Sequence, residues 1–270
     1  MRPERRTILL TGATGGIGAA AARRLGQAGC NLLLTGRNEV RLDEVAAAAR
    51  DAGAPGVLCL PMDLTEDGAA EQLPQYAVER FGRLDVLINN AGVGLRGPLL
   101  DIDMADLRRV FELNAFAPLR LTRAAARHLA ANSEGGLVIN VGSIAGLRAG
   151  PGTGGYSAAK AALERASEAL RLELAGARVR LSVLHPGPTA TGFNAAALGL
   201  APSRERPVAM ASAEAVANAL LRTLRLEPRD TFVSFHDRLL VTAAAVAPGL
   251  VDRLILSLFG GRYPAQPAQR

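Results

Sequence analysis

Seven short apolar runs punctuate the chain, at residues 7–10, 31–35, 57–61, 84–88, 137–141, 179–184 and 230–235. Runs this short and this continuous read as strands. Between them lie longer stretches dominated by alanine, leucine, glutamate and arginine, at about 19–27, 38–52, 66–81, 103–131, 156–175 and 212–225. These are good helix formers. Pro118 falls inside the fourth stretch and predicts a kink there, because proline has no N–H to give the preceding turn. Strand and helix alternating at this rhythm predict an α/β fold: a parallel, doubly wound sheet of about seven strands, with helices on both faces. Open sheets of this kind gather their ligands in a crevice at the carboxyl ends of the strands. No shift in composition divides the chain, so residues 1–238 read as one domain and 239–270 as an extension.

Those strand ends carry the chemistry. The first run leads directly into Thr11-Gly12-Ala13-Thr14-Gly15-Gly16-Ile17-Gly18 and then into a helix. In a strand–turn–helix context, glycines let the backbone approach a pyrophosphate, which the free N–H groups of the helix start can bind. The second run ends in Gly36-Arg37, where a site for NAD usually offers a carboxylate to the ribose. A planar guanidinium there suits a 2′-phosphate, so NADP is expected ahead of NAD. Asp63-Leu64 follows the third run, where it meets the adenine, and Asn89-Asn90-Ala91-Gly92 follows the fourth. Gly142-Ser143 closes the fifth, and His185-Pro186-Gly187-Pro188-Thr189 the sixth.

Tyr156 and Lys160 open the helix that begins near residue 156, and a spacing of four places them on one face. A free phenol holds its proton to roughly pH 10, too tightly for acid–base work at neutral pH. A neighbouring cation favours the phenolate, so Lys160 is expected to bring that pKa down. Lys160 is also the only lysine in the chain, every other cation being arginine. One position has kept a compact ammonium that burial can tune. Taken alone, Tyr-x-x-x-Lys is an ordinary surface spacing; its company at the other strand ends is what gives it weight.

Charge and cysteine content narrow the picture further. The formal charge of +6 is spread over scattered arginines without interleaved aromatics, which speaks against a nucleic-acid surface and fits an anionic cofactor. Cys30 and Cys59 sit in or beside strands as small core residues. His128, His185 and His236 show no metal-ligand spacing, so no metal is expected. The N-terminus runs into the first strand with no signal-peptide pattern, and the cytoplasm is the expected compartment.

At this point the chain resembles the short-chain dehydrogenase/reductase family in its single-domain, Rossmann-like form. The resemblance rests on Thr11-Gly-x-x-x-Gly-Ile-Gly18, Asn89-Asn-Ala-Gly92, Asn114, Ser143, Tyr156-x-x-x-Lys160 and Pro186-Gly187, all in the family's order, and covers about residues 5–235. It implies an oxidoreductase that moves hydride between a nicotinamide and a carbonyl/alcohol pair. Ser143 would hold the substrate oxygen and Tyr156 would exchange its proton. Lys160 would tune Tyr156 and hydrogen-bond the nicotinamide ribose, Asn114 would anchor a proton-relaying water, and Thr189 would reach the carboxamide. Residues 188–211 would form the substrate flap, with Phe193, Leu198 and Leu200 apolar and Arg204 and Arg206 charged. Val93, Leu95 and Leu147 would complete an apolar wall for an alkyl, acyl or steroid-like carbonyl. The helices near 103–131 and 156–175 would build a homodimer or homotetramer.

Two rival readings are a cofactor-binding sensor without turnover and a sugar-nucleotide epimerase. The first has no need of the full Ser–Tyr–Lys set, and the second typically carries Gly-x-x-Gly-x-x-Gly and a larger substrate domain. The apolar run 239–259 is long enough to suggest a membrane span, but Pro248 and Gly249 break it and Asp252 and Arg253 charge it. It reads as two short amphipathic helices that cover the pocket or a partner subunit, in preference to a bilayer surface.

Overall fold

The computed structural model of the chain describes residues 1–199 and 210–259; Leu200, Arg204 and Arg206 of the flap lie outside that range. Seven parallel strands form the central sheet: β1 Thr7–Thr11, β2 Asn31–Gly36, β3 Val57–Pro61, β4 Val86–Asn89, β5 Gly136–Val141, β6 Val179–His185 and β7 Asp230–Phe232. Their spatial order is β3-β2-β1-β4-β5-β6-β7, so the winding reverses between β1 and β4. That reversal opens a crevice at the carboxyl ends, as the strand–helix rhythm predicts. The fold is a Rossmann-like, doubly wound sheet.

The continuous apolar runs follow from burial of both sheet faces. Successive residues point to opposite sides. Ile8 and Leu10 join Leu32, Leu34, Ile88 and Ile139 in one core cluster, under α1 (Gly16–Gln27), α2 (Glu39–Asp51) and α8 (Ala213–Leu226). Leu9, Leu33, Leu87 and Val138 face the other side, under α3 (Ala69–Phe81) and α5 (Ala117–Ala130). Alanine on the inner helix faces permits close approach; a Cβ on Gly26 of α1 would lie 2.5 Å from the Ala49 carbonyl oxygen of α2.

The long helix expected over 103–131 is three segments. α4 (Met104–Phe111) gives way to a π-helical turn, Glu112–Phe116, before α5 begins. Pro118 sits in the first turn of α5 and cannot give an N–H to the carbonyl four residues back, that of Asn114. The wide turn absorbs the mismatch, and Asn114 lies inside it. A four-residue helix not foreseen from the sequence, α6 (Ile144–Leu147), follows β5, with Ser143 as its N-cap. Next come α7 (Gly154–Glu173) and, after β7, α9 (Phe235–Val246) and α10 (Pro248–Phe259).

Candidate active site

The crevice begins at the first glycine turn. Gly12 has φ +64, a left-handed conformation that glycine adopts freely, and a Cβ there would lie 2.7 Å from Ala91 Cα. A Cβ on Gly18 would lie 2.2 Å from the Gly12 carbonyl oxygen. α1 starts at Gly16 with no side-chain cap and no acidic residue in its first turn. Its N-terminal N–H groups and the positive end of its dipole are therefore available to an anion. That cradle fits a pyrophosphate.

Polar side chains hold the crevice open where the winding reverses. Thr11 Oγ1 accepts from the backbone N–H groups of Asn90 (2.9 Å) and Ala91 (3.0 Å), while Asn90 Nδ2 donates to the Thr11 (2.9 Å) and Gly12 (3.1 Å) carbonyls. Thr11 is itself buried and off the wall, a correction to its assignment as a cofactor contact. Behind it runs a buried chain that sequence reasoning left out. Asn89 Nδ2 donates to Asn140 Oδ1 (2.8 Å) and Thr122 Oγ1 (3.1 Å), and Asn140 Nδ2 donates to Ser167 Oγ (2.8 Å). This chain ties β4 and β5 to α5 and α7. Only long-range pairing reveals it.

One continuous cavity carries most of the expected residues. Gly12, Thr14, Gly15, Gly16, Ile17 and Gly18 line one end, with Arg37, Asp63 and Leu64 beside them. Asn90, Ala91, Gly92 and Val93 line the middle, and Ser143, Tyr156, Lys160, Pro186, Gly187, Thr189 and Phe193 the other end. Arg37 is exposed and stands 3.9 Å from Asp63. Burial pushes the Asp63 carboxyl up, but hydrogen bonds from Thr65, followed by Arg37 and Arg109, bring it below its usual range. Arg41 also lines this end and was not foreseen; it lies one helical turn beyond Arg37, on α2.

At the other end, the Ser143 hydroxyl lies beside the Tyr156 phenol and favours its ionised form. Tyr156 meets Phe193 edge to face, with ring centroids 5.8 Å apart. Lys160 is buried one turn further along α7, and its Nζ donates to the Val141 carbonyl at 2.8 Å. Burial dominates the protonation of both groups. The Tyr156 phenol is pushed up to about 12, only partly opposed by Ser143, and the Lys160 ammonium is pushed down to about 8. The expected lowering of the tyrosine by its lysine is therefore corrected in the free chain. Desolvation penalises the phenolate more than any neighbouring charge favours it.

The Asn114 side chain grips the Val93 backbone, accepting from its N–H at 2.9 Å and donating to its carbonyl at 2.8 Å. It still lies beside Lys160 across Gly92, where a Cβ would be 3.0 Å from Asn114 Oδ1 and 3.7 Å from Lys160 Nζ. What Asn114 can offer a water is the backbone carbonyl that Pro118 leaves without its helical donor.

The substrate wall differs in part from expectation. Leu95 is buried in a small core cluster with Val110 and Ala159, and neither it nor Leu147 reaches the cavity. Leu95–Arg96 instead pairs with Leu198–Gly199, which pins the flap. Val93, Phe193 and Leu198 do line the cavity, joined by Met210 and by Leu240, Leu254 and Ile255 from α9 and α10. The C-terminal helices therefore wall the cleft.

His185 lies behind the site. Its Nε2 is 3.1 Å from Asp230, its ring stacks on Phe232, and its Nδ1 faces Glu164 at 3.7 Å. These three acid and imidazole groups are far apart in sequence, and spacing alone could not group them. Asp230 occupies one ring nitrogen, so the arrangement ties β6 to β7 and α7. Burial pushes the Cys30 thiol up to about 12, in keeping with its place in the core.

Known proteins resemble this chain over most of its length. A family model described as short chain dehydrogenase matches residues 6–198. The uncharacterized oxidoreductase YxnA of Bacillus subtilis is 31% identical over 97% of this chain and 74% of its own length. A short chain dehydrogenase from Burkholderia cenocepacia, solved in complex with NADP, superposes with a TM-score of 0.80 at 28% identity, over 95% of this chain and 99% of that one. A short chain dehydrogenase/reductase from Burkholderia phymatum, solved in complex with NAD, also gives 0.80, at 25% identity over 100% of both chains.

Proposed function

Because this chain belongs to the short-chain dehydrogenase family, we propose that it is an NADP(H)-dependent oxidoreductase interconverting a ketone or aldehyde with its alcohol, on a largely apolar substrate. The observation that carries this reading is the Ser143 hydroxyl beside the Tyr156 phenol, with Lys160 one turn away, in the same cavity as the glycine cradle. Arg37, the glycine turn and Thr189 would hold a nicotinamide cofactor, which would supply or accept the hydride. The protein supplies the rest. A carbonyl oxygen placed against the paired hydroxyls of Ser143 and Tyr156 is held by both, and Tyr156 gives it a proton. With its phenol pushed up to about 12, Tyr156 is in the acid form that reduction needs at neutral pH.

Lys160 spends one of its three N–H donors on Val141, which leaves two for the ribose and for a water at the Asn114 carbonyl. Its charge is present below its depressed pKa and lost above it. We therefore expect kcat/KM for NADPH, which reports on groups of the free chain, to be level from about pH 6 to about pH 7.5. It should then fall as pH rises through about 8, where the ammonium is lost. Initial rates at limiting NADPH across this range check the expectation, and a profile level to about pH 9.5 would show that turnover does not follow loss of the Lys160 charge near pH 8.

Val93, Phe193, Leu198, Leu240 and Leu254 support an apolar substrate, since they line the same cavity as Tyr156 and Phe193 meets its ring. Each methylene buried there contributes about 0.8 kcal/mol, close to fourfold. Along a series of ketones of increasing chain length, kcat/KM with NADPH is expected to rise until the cleft is filled. Activity confined to polyols or sugars would reject the apolar reading while leaving the reaction class intact.

A further inference from the structure

The inner faces of α9 and α10 wall the cleft; their outer faces are a separate matter. Each helix has twelve residues, about 18 Å, and the two meet at a bend of 119°. Among the described residues no single helix is long and apolar enough to cross a membrane. Yet of the sixteen large apolar side chains exposed on the described chain, seven lie on these two helices, and five of them, Phe235, Leu239, Val246, Leu250 and Leu256, are off the cleft wall.

Their placement is regular. At about 100° per residue, Phe235, Leu239 and Val246 fall in one narrow stripe of α9, opposite Asp237 and the buried Ala244. They are 74%, 55% and 81% exposed. On α10, Leu250 and Leu256 (67% and 61% exposed) flank Arg253, opposite the buried Val251 and the half-buried Ile255. The acids of the pair are occupied: Asp237 packs on Gly187, and Asp252 is paired with Arg148. Arg238 and Arg253 are exposed, with no carboxylate partner among the described residues. The outer surface therefore combines hydrocarbon with unneutralised positive charge.

We infer that this outer face docks on an anionic lipid bilayer, with α9 and α10 lying in the headgroup plane. Apolar side chains enter the acyl boundary while the arginines keep their heads among the phosphates. A second copy of the chain fits the face less well. A two-fold contact sets the same patch against itself, which would bring Arg238 and Arg253 together with no free acid to meet them. The chain's formal charge of +6 adds attraction at longer range. The docking stands apart from the identity of the substrate, but it would place the cleft these helices wall beside a reservoir of apolar molecules.

The test is flotation of the full-length chain with vesicles of phosphatidylcholine alone, or of phosphatidylcholine mixed with phosphatidylglycerol. The chain is expected to float with the mixed vesicles and, in rising salt, to stay with the pellet. Leu239→Gln/Val246→Gln/Leu250→Gln should abolish flotation while reduction of a water-soluble ketone continues, since none of these residues lines the cleft. Should that variant fail to fold, Arg238→Gln/Arg253→Gln serves in its place. It should lower partitioning by about fivefold for each arginine. The inference is overturned if the native chain stays down with anionic vesicles, or if the variants float as well as it does. Light scattering that shows a lipid-free oligomer, dispersed by the triple substitution, would assign the face to a second copy and overturn it too. Because flotation does not read turnover, failure of ketone reduction alone would count against the proposed activity and leave the docking standing.

Discussion

Tyr156→Phe is expected to lower kcat for carbonyl reduction by roughly a thousandfold or more, with the Kd for NADPH held within about threefold. The substitution removes one oxygen and keeps the ring. The edge-to-face contact with Phe193 and the packing at the head of α7 therefore survive. What is lost is the proton that the substrate oxygen must receive, together with the hydroxyl that lies beside Ser143. The glycine turn, Arg37 and Lys160, which would hold the cofactor, are left in place. Stopped-flow binding of NADPH and steady-state rates on a single ketone separate the two effects. A variant that binds NADPH poorly but turns over at the native rate would move Tyr156 out of the proton-transfer role.

The expected and observed behaviour of that phenol shows where reading residues along a line stops working. Four-residue spacing on a helix is local, and it is enough by itself to place Tyr156 and Lys160 on one face. The glycine turn is local too: strand, Gly12, helix start. Burial is not local. Whether Lys160 lowers its neighbour's pKa depends on how much water both groups lose, and that is set by Val141, Gly92 and Gly146, which arrive from other elements. In the free chain desolvation prevails for both groups.

Asn114 repeats the point. Its position before Pro118 was legible, and so was trouble in the helix there. That its side chain would be spent on Val93 was not, since Val93 reaches it only through the winding of β4 against α5. Leu95 reads as wall by its hydrophobicity alone, yet the two-residue pairing with Leu198–Gly199 turns it into the core. The chain from Asn89 through Asn140 to Ser167, and the meeting of Glu164, His185 and Asp230, belong to the same class. Each joins strands that are adjacent in the sheet and remote in sequence.

Arg37→Asp is expected to reduce the preference for NADPH over NADH, as the ratio of kcat/KM values, by roughly a hundredfold. A charge-assisted hydrogen bond contributes about 1.5–3 kcal/mol, roughly ten- to a hundredfold, and a carboxylate in its place would also repel a 2′-phosphate. The position is suited to the test. Arg37 is exposed just past the end of β2, and its described ion pair is a long contact with Asp63, so little of the fold depends on it. The introduced carboxylate would stand near that same Asp63, and like charges at this separation could disturb the Asp63–Thr65 turn. Arg37→Ser removes the guanidinium without adding charge, and should give the smaller part of the shift, about tenfold, through loss of NADPH affinity alone. Arg41 in the first turn of α2 shares the same wall, so a residual preference in either variant should vanish on adding Arg41→Ser. Steady-state rates with both cofactors on one ketone settle the matter. A ratio that stays constant through all four variants would place the 2′-phosphate away from both arginines.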